Sequence, residues 1–121
     1  MAAINLGIIG FGIMGERLLR AAIDHAAAHV RPIGVWDPSP AAAARLAEVA
    51  LGVPLLDGAA AVIEACDCLY IAAPPKAHLP LAEAALGAGR AVFLEKPLAV
   101  DLAASRNVPW RRPRLWAPGP R

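Results

Sequence analysis

A glycine-rich turn directly after a short apolar run is the feature that most constrains the fold of this chain. Residues Ile4–Ile9 form a largely apolar run, which is typical of a strand covered on both faces of a parallel sheet. Gly10, Gly12 and Gly15 follow at once, and a helical pattern begins near Met14. Glycine permits a tight turn and close packing of the helix on the strand, so this segment predicts the opening unit of an α/β sheet.

The same alternation of apolar runs and helical segments continues to about residue 105. We expect further strands at 31–36, 53–56, 68–73 and 91–94, and helices at about 14–28, 41–50, 58–65, 79–86 and from 98 to 105. Strands separated by helices call for parallel pairing with right-handed crossovers. The sequence therefore predicts an α/β fold, a Rossmann-like doubly wound parallel sheet of order 3-2-1-4-5, incomplete at its C-terminal edge.

Charge and composition divide the chain into a domain and a tail. Through residue 105 we count seven Lys+Arg and ten Asp+Glu, whereas five arginines and no acids follow. We therefore expect a nucleotide-binding domain at 1–105 and an irregular Arg/Pro/Trp-rich tail at 106–121. The abrupt change is the pattern expected of out-of-frame translation of GC-rich DNA or of an artificial end. A Trp/Arg-rich functional peptide is the alternative.

Several classes of function are not favoured by the composition. No apolar stretch approaches the roughly 20 residues that span a bilayer, and no signal peptide is evident, so we expect a cytoplasmic protein without a membrane partner. The basic tail is weak support for nucleic-acid binding, which we do not expect. Cys66 and Cys68 suit semi-buried thiols in a reducing compartment, and we expect no metal site.

The glycine turn also predicts a dinucleotide site. A helix N-terminus presents N–H groups to a pyrophosphate, which the backbone approaches at Gly12. The cofactor-binding residues expected in this turn are Gly10, Phe11, Gly12, Ile13, Met14 and Gly15. Asp37 ends the second predicted strand, where a carboxylate accepts ribose hydroxyls and repels a 2′-phosphate, so NAD is favoured over NADP. A helix-capping role for Asp37 and a methyltransferase site remain open. A P-loop is not supported, because Glu16-Arg17 follows Gly15.

Two later segments end predicted strands at the same edge of the sheet. At the carboxyl end of the fourth strand we expect an extended loop that lies beside the nicotinamide. It is formed by Ala73, Pro74, Pro75 and Lys76, and it leads to His78. His78 either contacts the ligand or serves as a capping or packing group. The fifth strand ends in Glu95-Lys96-Pro97, and Lys96 is the candidate for proton exchange with a substrate hydroxyl. A surface lysine at a strand end is the alternative reading of Lys96.

Taken together, these segments resemble the glucose–fructose oxidoreductase, inositol dehydrogenase and MocA (Gfo/Idh/MocA) family of NAD(P)-dependent oxidoreductases. The matching pieces lie at 7–15, 35–37, 72–78 and 84–98, and the last, which contains Glu95-Lys96-Pro97, is the most specific. The resemblance implies that Lys96 and His78 act in hydride transfer between nicotinamide and a sugar, polyol or related hydroxyl substrate. It also implies that Glu95 and Lys96 lie at the cofactor.

The resemblance further implies a C-terminal α/β domain that supplies the substrate surface, and the present sequence contains no such segment. We therefore expect a fragment that is inactive alone, with a non-enzymatic NAD-binding or sensing module as the alternative. We also expect an exposed apolar edge where the second domain would dock, and hence self-association through that edge.

Overall fold

Parallel strands and helices alternate along the chain. The computed structural model describes residues 3–50, 52–96, 102–106 and 108. The elements in chain order are β1 (Ile4–Ile9), α1 (Ile13–His25), β2 (Val30–Trp36), α2 (Ala42–Val49), α3 (Ala59–Ala65), β3 (Cys68–Ile71), α4 (Pro75–Gly87), β4 (Ala91–Leu94) and α5 (Leu102–Arg106).

The four strands form one parallel sheet in the order β2-β1-β3-β4. The third predicted strand, at 53–56, is reduced to a single bridge between Leu55 and Val35 on the outer side of β2. Pro54 has no N–H to donate to a ladder, which limits the pairing of this short segment. The predicted Rossmann-like architecture is confirmed, and the bridge lies where the order 3-2-1-4-5 requires its first strand.

Each face of the sheet has its own apolar core. Alternate residues of a strand point to opposite faces. On one face, strand residues pack with side chains of α1 and α2; this cluster contains Leu6, Ile8, Phe11, Leu19, Ala22, Val35, Leu46 and Tyr70. On the other, α3 and α4 cover the sheet; that cluster contains Ile9, Val62, Ile63, Cys66, Leu69, Ile71, Ala82 and Ala85. Burial on both faces explains the continuously apolar strand sequences.

Two predicted helices differ from those observed. Helix α1 ends at His25 and not near residue 28, and Ile23 in its last turn is 38% exposed. Helix α4 begins at Pro75, so the predicted extended loop is wrong beyond Pro74. Proline is favoured at the first helical position, because its fixed φ suits a helix and its missing N–H would have no partner there.

Some predictions fall outside the described residues. They concern Pro97, the helix start at 98–101 and the tail, of which Arg106 closes α5 and Val108 is buried. No described helix is both long enough and apolar enough to cross a membrane.

Candidate functional site

The carboxyl ends of all four strands meet at one edge of the sheet. Trp36, Ile9, Ile71 and Leu94 are successive register partners across the four strands. The residues that follow them therefore lie in a row, and they are Asp37, Gly10, Ala72 and Glu95. Because neighbouring strands are about 4.8 Å apart, this row is roughly 14 Å long. It brings together the four segments that the sequence placed at one site.

Two glycines of the turn are required by the protein's own packing. Gly10 has a φ of 96°, in the left-handed region, and a Cβ on it would lie 2.5 Å from backbone atoms of Ala72 and Ala73. A Cβ on Gly15 would overlap the carbonyl oxygen of Gly10. Gly10 therefore permits the turn and its contact with the neighbouring loop, and Gly15 permits α1 to approach β1.

Gly12 differs from these two glycines. It is the N-cap of α1, with an extended φ of −81°, and a Cβ on it would meet no atom within 4 Å. The protein's own packing therefore does not require a glycine here, but a molecule seated against the backbone would. Ile13 is 68% and Met14 45% exposed on the first turn of α1, beside this open space. Unpaired N–H groups at the start of a helix favour an anion in that position.

Asp37 is fixed by backbone groups on both sides. Its Oδ2 accepts a hydrogen bond of 2.6 Å from the N–H of Phe11, and its Oδ1 accepts one of 2.7 Å from the N–H of Ser39. The bond to Ser39 shapes the turn before α2, but Asp37 does not cap this helix, because its N-cap is Ala41 and no side chain caps it. Each carboxylate oxygen keeps further acceptor capacity, so a pair of ribose hydroxyls could still bind there.

An arginine that the motif does not contain also contacts the glycine turn. Arg45 of α2 donates from Nη1 to the carbonyl oxygen of Phe11 at 2.9 Å and from Nη2 to Oε1 of Glu16 at 3.0 Å. Its guanidinium carbon lies 5.6 Å from the centroid of the Phe11 ring. The hydrogen bond from Arg45 lowers the pKa of Glu16, with a further contribution from Arg20. Arg45 and Phe11 are 34 residues apart in the chain, so the sequence motif did not indicate this contact.

The turn between β3 and α4 passes beside Gly10. It contains Ala73 and Pro74, after which Pro75 begins the helix. His78 lies in the first turn of α4, is 1% exposed, and its Nε2 is 2.7 Å from the carbonyl oxygen of Ala73. This contact ties the helix to the turn, in agreement with the packing alternative considered for His78. Lys76 is exposed.

The end of β4 carries Glu95 and Lys96. The Glu95 carboxylate accepts a hydrogen bond from the hydroxyl of Tyr70, and the Glu95 N–H donates to the carbonyl oxygen of Ile71 at 3.3 Å. Lys96 is exposed beyond this anchored residue. Tyr70 was absent from the predicted site. A tyrosine in the apolar run 68–73 was the available signal, because a buried hydroxyl needs a partner.

Other groups capable of chemistry lie away from this edge. In the ranges that the structure describes, no three His, Cys, Asp or Glu side chains are grouped to hold a metal ion. Burial raises the pKa of the Cys66 thiol and of the Cys68 thiol. Both thiols are free, and Cys66 lies within the core beneath α3.

Comparison with known proteins agrees with this geometry. Residues 4–109 match the family described as an oxidoreductase family with an NAD-binding Rossmann fold (GFO_IDH_MocA). The chain is 33% identical over 109 residues to inositol 2-dehydrogenase of Pseudomonas fluorescens, an alignment covering 88% of this chain and 32% of the relative.

Solved structures with a similar fold include two with bound cofactor. Scyllo-inositol dehydrogenase from Lactobacillus casei, with NAD(H) and scyllo-inositol, has a TM-score of 0.75 and 28% identity, covering 88% of this chain and 32% of that one. Biliverdin reductase from Synechocystis sp. PCC 6803, with biliverdin and NADP+, has a TM-score of 0.76 and 32% identity, covering 87% and 33%. The present chain thus spans about a third of the length of these relatives.

Proposed function

The chain belongs to the Gfo/Idh/MocA oxidoreductase family, as its NAD-binding Rossmann domain, and from this premise we propose that it binds NAD in preference to NADP. In this proposal the adenosine ribose lies on Asp37, the pyrophosphate on the turn at Gly12, and the nicotinamide towards Ala73 and Lys96. Similar proteins have been solved with NAD(H) and with NADP+, so the preference rests on Asp37. Its carboxylate would accept ribose hydroxyls and repel a 2′-phosphate.

Gly12 is the single observation that carries the proposal of a dinucleotide site, whereas Asp37 carries the choice between NAD and NADP. It starts the helix that follows β1, and open space surrounds the position of its missing Cβ. The N–H groups of the first turn of α1 would hold the pyrophosphate there, because they have no acceptors within the helix. The exposed side chains of Ile13 and Met14 would cover the apolar parts of the cofactor.

We place the chemistry at the other end of the row. Bound NAD supplies the hydride acceptor. Lys96 is exposed at the end of β4 and would move a proton at its Nζ to or from a substrate hydroxyl. Glu95, anchored on Tyr70, would orient the backbone that carries Lys96. The substrate class proposed is a sugar, a polyol or a related hydroxyl compound, as suggested by the inositol dehydrogenases among the relatives.

Cofactor titration tests the binding step. Isothermal titration with NAD, NADH and NADPH should give saturable binding that is tightest for the NAD forms, whereas no binding at millimolar cofactor would refute the proposal. Gly12→Ala should weaken binding without unfolding the domain, because the added Cβ would meet no protein atom within 4 Å. Gly87→Ala is the matched control: its Cβ also meets nothing, and it lies at the far end of α4.

A hydride-transfer assay separates an enzyme from a non-enzymatic NAD-binding or sensing module. NADH formation with myo-inositol as the probe, present in wild type and lost in Lys96→Ala, would support the enzyme. Cofactor binding without Lys96-dependent turnover, in this chain and in longer proteins that contain it, would favour the sensing module.

A further inference from the structure

Two charged side chains bind one residue of the glycine turn, and a third binds one of those two. Asp37 accepts the N–H of Phe11, and Arg45 donates to the Phe11 carbonyl oxygen. Glu16 in turn binds Arg45 at 3.0 Å. The acid that would meet the adenosine ribose and the arginine therefore hold opposite ends of the same residue. The Arg45 side chain is 40% exposed, so a ligand on this edge of the sheet can reach its guanidinium.

An arginine beside this ribose is the group that binds the 2′-phosphate of NADP in dinucleotide folds. Here the guanidinium is already engaged by a carboxylate, a carbonyl oxygen and an aromatic ring. We propose that Glu16 is a specificity-determining residue, which holds Arg45 on the glycine turn and so denies it to a 2′-phosphate. This inference rests on the proposed cofactor site at Gly12 and Asp37.

Charge explains why Glu16 could have this effect. Its hydrogen bond with Arg45 lowers the pKa of its carboxyl group, so Glu16 is ionised at neutral pH. The side chain of Glu16 is 28% exposed, and a second partner, Arg20, lies one turn along α1 at 3.4 Å. In Glu16→Gln the neutral amide would hold Arg45 less strongly, and a phosphate dianion would compete better for the guanidinium.

The ratio of two affinities isolates this effect. Glu16 lies in the first turn of α1, close to the proposed pyrophosphate position, so its charge also disfavours any phosphate bound there. That effect is common to NAD and NADP and cancels in the ratio of their dissociation constants. The ratio of the two dissociation constants therefore changes only when the protein's interaction with the 2′-phosphate changes.

The experiment measures NAD+ and NADP+ binding by calorimetry in wild type, Glu16→Gln, Arg45→Met and the double variant. In Glu16→Gln the ratio should shift about fivefold towards NADP+. The double variant should return to the ratio of Arg45→Met, because no guanidinium is then available. Glu16→Asp, which keeps the charge, should shift the ratio less, and higher salt should reduce the gain.

Glu83→Gln is the matched control, since it removes the same charge from an exposed position on α4. Thermal unfolding of each variant confirms that the fold is retained. If wild type binds NAD+ and Glu16→Gln leaves the ratio unchanged, the inference is wrong while the proposed function stands. A ratio shift that survives in the double variant also contradicts it. If wild type binds neither cofactor, both are refuted.

Discussion

The hydroxyl of Tyr70, in the inner strand β3, donates a hydrogen bond to the carboxylate of Glu95 just after the end of β4. Tyr70 is 1% exposed, and its ring also meets Phe93 edge-on, with centroids 5.2 Å apart. The tyrosine thus links the core of the sheet to the residue that precedes Lys96. Because the buried ring holds its hydroxyl in one place, the hydrogen bond to Glu95 fixes the position of that carboxylate.

Tyr70→Phe should leave the ring packing intact and remove the bond to Glu95. We expect a loss of about 1 kcal/mol in the free energy of unfolding, measured by urea denaturation. Glu95→Gln keeps an acceptor oxygen for Tyr70 and should cost less. Because both changes affect one contact, their effects should be less than additive in the double variant; full additivity would show that the contact contributes no stability.

The same substitution should destabilise the fold much more at Gly15 than at Gly12. Gly15→Ala forces a Cβ against the Gly10 carbonyl, so we expect a loss of about 2 kcal/mol or more in unfolding free energy. Gly12→Ala adds the same atom in open space and should change the stability by less than about 1 kcal/mol. Thermal and urea unfolding of the two variants compares them directly. Similar destabilisation at both positions would contradict the geometry of the turn.

Asp37 should affect both cofactor preference and local structure. Asp37→Ala removes the acceptor of the Phe11 and Ser39 N–H groups, so we expect weaker NAD binding, relatively better tolerance of NADP, and lower stability. Asp37→Asn keeps one acceptor oxygen and should unfold less easily than Asp37→Ala. Calorimetric titration with both cofactors provides the check. Equal wild-type affinity for NAD and NADP would argue against the role given to Asp37.

The buried thiol of Cys66 should make stability depend on alkaline pH. Burial raises the pKa of the Cys66 thiol above its ordinary value of 9.0, so the folded state binds the proton more tightly than the unfolded state. Its stabilising contribution is complete below the unfolded pKa and is lost as pH rises through the folded one. Between about pH 8 and 10, unfolding free energy should therefore fall less steeply in Cys66→Ala than in wild type. Parallel pH profiles would contradict this.

The expected self-association is tested at β4. Among the residues that the structure describes, β4 pairs only with β3, and Phe93 is 56% exposed on it. We expect Phe93→Lys to reduce association between copies, since a charge on an edge strand opposes pairing. Sedimentation velocity over a concentration series measures this. A wild-type chain that stays monomeric at high concentration would refute the expectation.

Much of the fold could be predicted from local sequence patterns. The apolar run 4–9 and the glycines after it indicated a strand, a tight turn and a helix, because each feature depends on neighbours in the chain. The start of α4 at Pro75 could not be predicted, because a proline is equally compatible with an extended loop and with the first position of a helix. The third strand was reduced to the Leu55 bridge, because pairing depends on a partner's register as well as on apolar residues.

The sequence by itself determined the family, the parallel architecture and the candidate residues at the strand ends, since these depend on residue types at fixed spacings. Only the tertiary structure decided which distant side chains act on those residues. It brought Arg45 and Asp37 to the two ends of Phe11 and Tyr70 to Glu95. The reason is physical: strand register and helix packing set these contacts, and neither is encoded in the spacing of a motif.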